Sequence, residues 1–299
     1  MSAYHIPVLL KESVEGLGIN PDGIYVDATF GGGGHSREIL KHLKNGRLIA
    51  FDQDPDSEAN IPDDDRLVFL RQNFRYLINN LRYVGIQEVD GVLADLGVSS
   101  YQFDTPERGF SFRFEGPLDM RMNPDAKMTA SQVVETYSEE QLKQIFQEYG
   151  EVHNAGKVAK ALADSRLNKT IMTIADFLEA IDHCLPVHQQ NKYLARLFQA
   201  LRIEVNQEIE NLKSFLEQST SVLKTGGRLV VITYHSLEDR LVKHFMRTGN
   251  FSGERIVNLY GHQEQVFKPV HRKVIVPESG EIQVNPRARS AKLRIADKI

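Results

Sequence analysis

Three aspartates in this chain have the type and the setting to do chemistry. Asp27 follows the apolar run Ile24, Tyr25, Val26; Asp52 closes the run Arg47 to Phe51; Asp95 closes Gly91 to Ala94. Runs this short and this apolar read as parallel strands buried on both faces. An open α/β sheet binds its ligand outside the carboxyl ends of its strands, so the three carboxylates fall on one edge. One such aspartate alone is as readily a turn former or a helix cap. Three together make an edge that repels phosphate and suits a cation carrying hydroxyls.

A glycine run, Gly31 to Gly34, follows the first strand directly, and Ser36 to Leu43 then carries Ile39, Leu40 and Leu43 on one helical face. Glycines here permit a sharp turn and a close backbone approach. A triphosphate loop needs Lys and Ser/Thr after its last glycine, but His35 and Ser36 stand there. A dinucleotide fingerprint, counted from Gly31, fails at its sixth position, which is Ser36. S-adenosylmethionine fits the acidic edge better. Its ammonium and sulfonium are positive, and its ribose offers two hydroxyls to an acid about 20 residues past the loop, where Asp52 stands. A third strand, Leu67 to Leu70, leads to Phe74, placed either to stack on the adenine or to fill the core.

The elements that must position these residues are legible around them. Residues 1 to 23 read as an N-terminal arm with His5 and Pro7, a capped helical stretch and an NPDG turn. Tyr76 to Tyr83 is a helix stopped by Gly85. Past Asp95 the composition changes. Residues 105 to 124 interleave Arg108, Arg113 and Arg121 with Phe110, Phe112 and Phe114, a pattern equally able to grip unpaired RNA or to pack as an ordinary loop. Thr129 to Gln218 is helical throughout, with a capping box at Ser138 and Gln141 and one long helix after Pro186 carrying Leu194 through Leu216. Helices without strands between two strands mean an inserted domain. Its cations (Lys157, Lys160, Arg166, Lys169, Lys192, Arg196, Arg202) face either a polyanion or plain solvent.

The sheet resumes at Leu223, and Arg228 to Thr233 delivers Tyr234 and His235 to its carboxyl end. A Tyr-His pair there would orient a substrate; a lone His in such a place is usually structural. The tail from Phe267 holds eight Lys/Arg against three acids, and the run Pro286 to Arg294 reads as a phosphate contact. The chain as a whole, at 299 residues and a net charge of -4, suggests two domains and no global attraction to nucleic acid. The lone Cys184 excludes an internal disulfide, and no signal peptide or membrane span is legible. A cytoplasmic protein is expected. No ligand cluster points to a metal, and nothing specifies an oligomeric state.

HIPVLL, VDATFGGGGHS, FDQDP, DLGVSS, ERGFSF with GPLDMRM, FQALRIEVNQE, YHSLEDR and NPRARSAKLR together resemble one family, the bacterial 16S rRNA cytosine-N4 methyltransferases (RsmH, formerly MraW). These segments run from residue 5 to residue 294, essentially the whole chain. The resemblance implies an α/β fold, the Rossmann-like, mostly parallel sheet of class I S-adenosylmethionine-dependent methyltransferases, with an inserted all-helical domain. It places the methyltransferase domain at residues 1–105 and 216–299 and a substrate-recognition insert at 106–215. It maps the cofactor contacts to Gly33, Gly34, His35, Asp52, Phe74, Asp95 and Gln102. The implied reaction methylates the exocyclic amine of a cytidine in the decoding region of 16S rRNA within the small ribosomal subunit. Asp95 or a carbonyl of the loop from Leu96 to Ser100 is then the expected acceptor, with Tyr234 or His235 holding the base. Gly32 stands where relatives carry various residues. The same cofactor with another acceptor, a DNA or protein amine, is one alternative; DNA is disfavoured, because Leu96, Gly97 and Val98 replace the Pro-Pro-aromatic loop such enzymes carry. A non-enzymatic RNA assembly factor is the other alternative.

Overall fold

The computed structural model describes residues 7–256 and 265–299; His5, read as part of the N-terminal arm, lies outside them. In chain order the elements are α1 (Leu10–Leu17), β1 (Ile24–Asp27), α2 (Gly34–His42), β2 (Arg47–Asp52), β3 (Leu67–Arg71), α3 (Leu77–Tyr83) and β4 (Val89–Asp95). Six helices follow: α4 (Ser100–Asp104), α5 (Ala130–Thr136), α6 (Glu139–Glu148), α7 (Ala155–Ser165), α8 (Ile174–Ile181) and α9 (Gln190–Asn206). Then come α10 (Glu208–Val222), β5 (Leu223–Thr233), α11 (Ser236–Thr248), β6 (Phe267–Pro269), α12 (Ser279–Val284) and β7 (Lys292–Lys298). The chain divides into two compact units, residues 1–97 with 210–299, and residues 98–209.

The first unit is a seven-stranded sheet in the order β3-β2-β1-β4-β5-β7-β6. β1 to β5 run parallel, and β7 is antiparallel to both β5 and β6. Strand order reverses between β1 and β4, which is where such sheets open a ligand crevice. The central apolar runs predicted as strands are buried on both faces because helices cover both, while the edge strand β3 is only half-buried. Leu17, Ile39 and Leu40 of α1 and α2 pack with Leu48, Leu93 and Val230 on one side. Leu77, Leu81, Phe215, Leu216, Val242 and Phe245 of α3, α10 and α11 pack with Ile49, Val92 and Val231 on the other.

β7 is a strand where the sequence shows a run of cations. Leu293 and Ile295 alternate with Lys292 and Arg294, a period-two signal masked by the density of cations. The strand buries the two apolar side chains, and Lys292 and Arg294 both reach Asp239, at 3.2 and 2.7 Å.

The second unit is helical, around Phe146, Phe177, Leu197 and Leu201. The arginine-phenylalanine loop folds into that core. Phe110 is buried, Phe112 packs edge-on against Phe198 at 5.4 Å, and fully burying one such ring contributes about 1.5–3 kcal/mol. Arg108 donates to the carbonyls of Arg121 and Met122, and Arg121 is clamped by Asp119 at 2.7 Å. Most cations of the insert are engaged likewise. Arg166 donates to Val134 and Tyr137 carbonyls, Lys169 pairs with Asp176 and Glu179, and Arg202 with Glu208. The single helix expected after Pro186 is two, because Gln207 takes a left-handed conformation (φ 50°) that ends α9 and starts α10.

Candidate functional site at the sheet edge

The three aspartates close adjacent strands at the carboxyl edge; Asp27 pairs with Ala50 and Leu93, so it lies two residues deeper than Asp52 and Asp95, which flank it on either side. Asp27 accepts the Ser36 hydroxyl at 2.6 Å and the Thr29 amide at 3.1 Å, so it ties the strand to the start of α2. Asp52 accepts the Gly31 amide at 2.7 Å and the Asp54 amide at 2.9 Å, so it shapes the glycine loop from the neighbouring strand. Asp95 accepts the Tyr234 hydroxyl at 2.8 Å, and its own amide donates to the Thr29 hydroxyl.

Burial raises all three carboxyls. Asp27 and Asp52 are each pushed up to about 6, opposed for Asp27 by the Ser36 and Thr29 hydrogen bonds and for Asp52 by the Asp54 and Gly31 amides. Asp95 is pushed up to about 7, with the Tyr234 hydroxyl opposing and the charges of Asp27 and Glu238 adding to the rise. Tyr234 is itself raised well above the ordinary phenol by burial and by Asp95.

Among the described residues no Lys or Arg pairs with any of these carboxylates; the nearest ionisable base is His35, whose Nδ1 lies 3.8 Å from Asp95 Oδ2. One buried and two half-buried acids without a Lys or Arg partner are what a positively charged ligand would complete. The donor set therefore fits S-adenosylmethionine, with Asp52 still able to accept hydroxyls through its second lone pairs.

The loop is shaped to match. A Cβ on Gly32 would meet nothing within 4 Å, so its outer side is open and side chains of many kinds are accommodated there. Gly33 is left-handed (φ 72°) with the Phe30 ring 2.8 Å from a Cβ position, and at Gly34 a Cβ would lie 2.1 Å from Pro7 Cγ. The arm beside it is held from two sides. Val8 O lies 3.2 Å from His35 Nε2, and the Leu9 amide donates to Glu281 at 2.8 Å. Sequence reasoning missed Ser36, Thr29 and Glu281 as parts of this frame; only the Asp27-to-Ser36 spacing across the loop hinted at the first.

The other expected residues divide. Phe74 follows β3 in a short 3-10 turn, half-buried and edge-on to Phe215 at 5.3 Å, while Asn73 beside it donates to Gln53, the residue after Asp52. Phe74 thus packs with the core and flanks the edge at once. His235 caps α11, its Nδ1 accepting the Glu238 amide at 3.4 Å, and Nε2 is buried 3.1 Å from Glu238 Oε1. The carboxylate of Glu238 in turn accepts the Tyr234 amide at 3.0 Å, so this helix start fixes both residues. Gln102 belongs to the second unit, where it is buried and completes a capping box with Ser99 at the start of α4.

Comparison with known proteins places the chain. A relative from Bacteroides thetaiotaomicron, named ribosomal RNA small subunit methyltransferase H, is 58% identical over 296 residues, covering 99% of this chain and 97% of that protein. One of the same name from Parabacteroides distasonis is 57% identical, covering 100% and 98%. Among solved structures, an rRNA methylase from Streptococcus thermophilus aligns over 99% of both chains with a TM-score of 0.43 and 11% identity. The model of the MraW methylase family matches residues 2–299, and with relatives of this identity along the full length, the chain belongs to that family.

Proposed function

We propose that this chain transfers the methyl group of S-adenosylmethionine to the exocyclic N4 amine of a cytidine in the decoding region of 16S rRNA, within the small ribosomal subunit. The observation that carries the cofactor is the set of carboxylates on adjacent parallel strands, Asp27 buried and Asp52 and Asp95 half-buried, with no lysine or arginine partner among the described residues. Small-subunit rRNA as the substrate follows from the family and from the names of its close relatives. When bound, the cofactor supplies an electrophilic methyl group on a sulfonium.

The residues divide the remaining work. Asp52 takes the ribose hydroxyls, Gly33, Gly34 and the start of α2 approach the cofactor through their backbone, His35 holds the loop against the arm, and Phe74 borders the adenine. Gln102 is assigned to the cofactor by family resemblance. The cytosine amine is a poor nucleophile because its lone pair is delocalised into the ring, so holding it in line is the main requirement. Asp95 accepts the amine proton; a carboxyl at about 7 is poised for that transfer at neutral pH. Tyr234 orients Asp95, and His235, fixed at the start of α11, keeps Tyr234 and the base side of the site in place. The target base must leave its stack to reach such an edge.

The insert recognises the RNA around the target. A cytoplasmic location follows from a ribosomal substrate, and no helix of the described residues is long and apolar enough to cross a membrane.

The test is transfer of labelled methyl from S-adenosylmethionine to small subunits purified from cells lacking this protein, followed by nucleoside mass spectrometry. Label in N4-methylcytidine is the expected result; no label in any RNA, with the cofactor measurably bound, refutes the reading. Asp95→Asn is expected to lower turnover by about 10²–10⁴-fold. Near-normal turnover would remove Asp95 from the chemistry.

A further inference from the structure

The cations of the carboxyl-terminal segment do not act as one run. Lys292 and Arg294 sit on β7 and are taken by Asp239, buried at the start of α11. What precedes β7 is different. The turn Pro286–Ser290 anchors its buried Ala288 in the same core as Ala291 and Leu293, leaving Arg287 and Arg289 exposed.

A second segment arrives beside it. The Val270 amide donates to Ile295 O at 2.9 Å, and Ile275 pairs with Leu293 through hydrogen bonds of 3.1 and 2.9 Å. Residues 271 to 274 are therefore held along the free side of β7 at its amino-terminal half, with His271, Arg272 and Lys273 exposed. Register locates this half. Leu293 pairs with Ile232 and Lys292 with Thr233, the last residue before Tyr234. The two segments, with Arg272 and Arg289 17 residues apart in sequence, thus meet at the same carboxyl edge that holds Asp27, Asp52 and Asp95.

Arg272, Lys273 and Arg289 have no ion pair among the described residues. Of the acids in this segment, Glu281 is engaged by the Leu9 amide, Asp297 lies at the far end of β7 paired with Arg228 at 2.9 Å, and Glu278 is exposed. We infer that Arg272, Lys273 and Arg289 form a cationic rim that grips the phosphate backbone of the single-stranded RNA flanking the target nucleotide. The charge distribution sorts the two ligands by sign. The recessed edge is acidic and takes a cation, while the outer rim of the same edge is cationic and takes a polyanion. The inference rests on the RNA-substrate reading above and adds where on the catalytic unit the backbone is held.

The test compares the protein with the triple variant Arg272→Glu, Lys273→Glu, Arg289→Glu. The control is Lys44→Glu, Arg47→Glu, Arg82→Glu, three exposed cations at the start of β2 and the end of α3, on the opposite edge of the sheet. The probe is a transcript of the decoding region, with affinity measured across salt concentrations, S-adenosylhomocysteine binding as the check on folding, and methyl transfer to small subunits alongside. The rim variant should flatten the slope of log affinity against log salt by about 2, since each single-strand phosphate contact contributes about 0.7. Near ~0.1 M salt its RNA affinity should fall by about tenfold or more, with KM for the subunit raised and cofactor affinity kept. Wild-type slope and affinity in the rim variant, or an equal loss in the control, overturns the rim while leaving the methyltransferase reading intact. A wild-type protein that neither binds the transcript nor methylates subunits overturns both.

Discussion

Replacing Tyr234 with Phe deletes one hydroxyl, keeps the ring, and isolates the interaction that holds Asp95 in check. That hydroxyl donates to Asp95 Oδ1 at 2.8 Å, and it is the largest influence opposing the rise that burial imposes on the carboxyl. A hydrogen bond to a charged acceptor is worth about 1.5–3 kcal/mol, which at about 1.36 kcal/mol per pH unit is roughly one to two units. The bond favours the ionised carboxylate, so its loss raises Asp95 further, from about 7. At neutral pH the ionised fraction then drops from about a half to a tenth or less, and the acid limb of the pH–rate profile moves up by the same one to two units. The pH dependence of kcat/KM for S-adenosylmethionine from about pH 6 to about pH 9.5, which reads the carboxyl of the cofactor-free enzyme, would reveal this as a loss near neutrality that recovers at high pH. S-adenosylhomocysteine binding reports that the variant is folded. An acid limb that stays in place in a folded, cofactor-binding Tyr234→Phe protein would refute the assignment of Asp95 as the titrating acceptor and of Tyr234 as its positioning residue.

The same carboxyls set how stability varies with pH. Their folded values, about 6 for Asp27 and Asp52 and about 7 for Asp95, lie above those of an unfolded chain, so between about pH 4 and pH 7 the folded state binds more protons. Their contribution to stability is thus full at the low end and lost as pH rises through the folded values. The melting temperature of the protein without cofactor should fall between about pH 5.5 and 7.5, less steeply in Asp52→Asn. S-adenosylmethionine affinity should rise over the same window, and an affinity independent of pH there would contradict a carboxylate site. Gly34→Ala places a methyl 2.1 Å from the rigid Pro7 ring. The arm must shift, so a loss of about 1–3 kcal/mol is expected by denaturant unfolding together with several-fold weaker cofactor binding. In the insert, Arg166→Ala strips two carbonyls at the end of α5 of their donor and should cost about 1–3 kcal/mol, with amide exchange accelerating first in that helix.

The sequence by itself determined the central sheet and the edge that carries the chemistry. β1, β2 and β4 are legible because a strand buried on both faces must be apolar throughout, and their closing aspartates are legible because a charged residue at the end of such a run has only the edge to occupy. The insert was legible for a similar reason: helical periodicity without strands can only be a separate layer. Local chemistry reaches no further than this. The arginines between residues 105 and 202 look alike in the sequence whether they meet RNA or a backbone carbonyl, and only folding brings Arg108 to Met122 and Arg166 to Val134. The same holds for Lys292 and Arg294, which a strand pairing turned inward toward Asp239, while the pairing of Ile275 with Leu293 brought Arg272 and Lys273 to the working edge. Tertiary structure likewise decided that Tyr234 bonds Asp95 across 139 residues and that Glu281 holds the arm beside the loop. The physical reason is common to all of these cases. Hydrophobic pattern is written locally, residue by residue, whereas the partner of a polar group is chosen by whichever distant segment the folded sheet delivers to it.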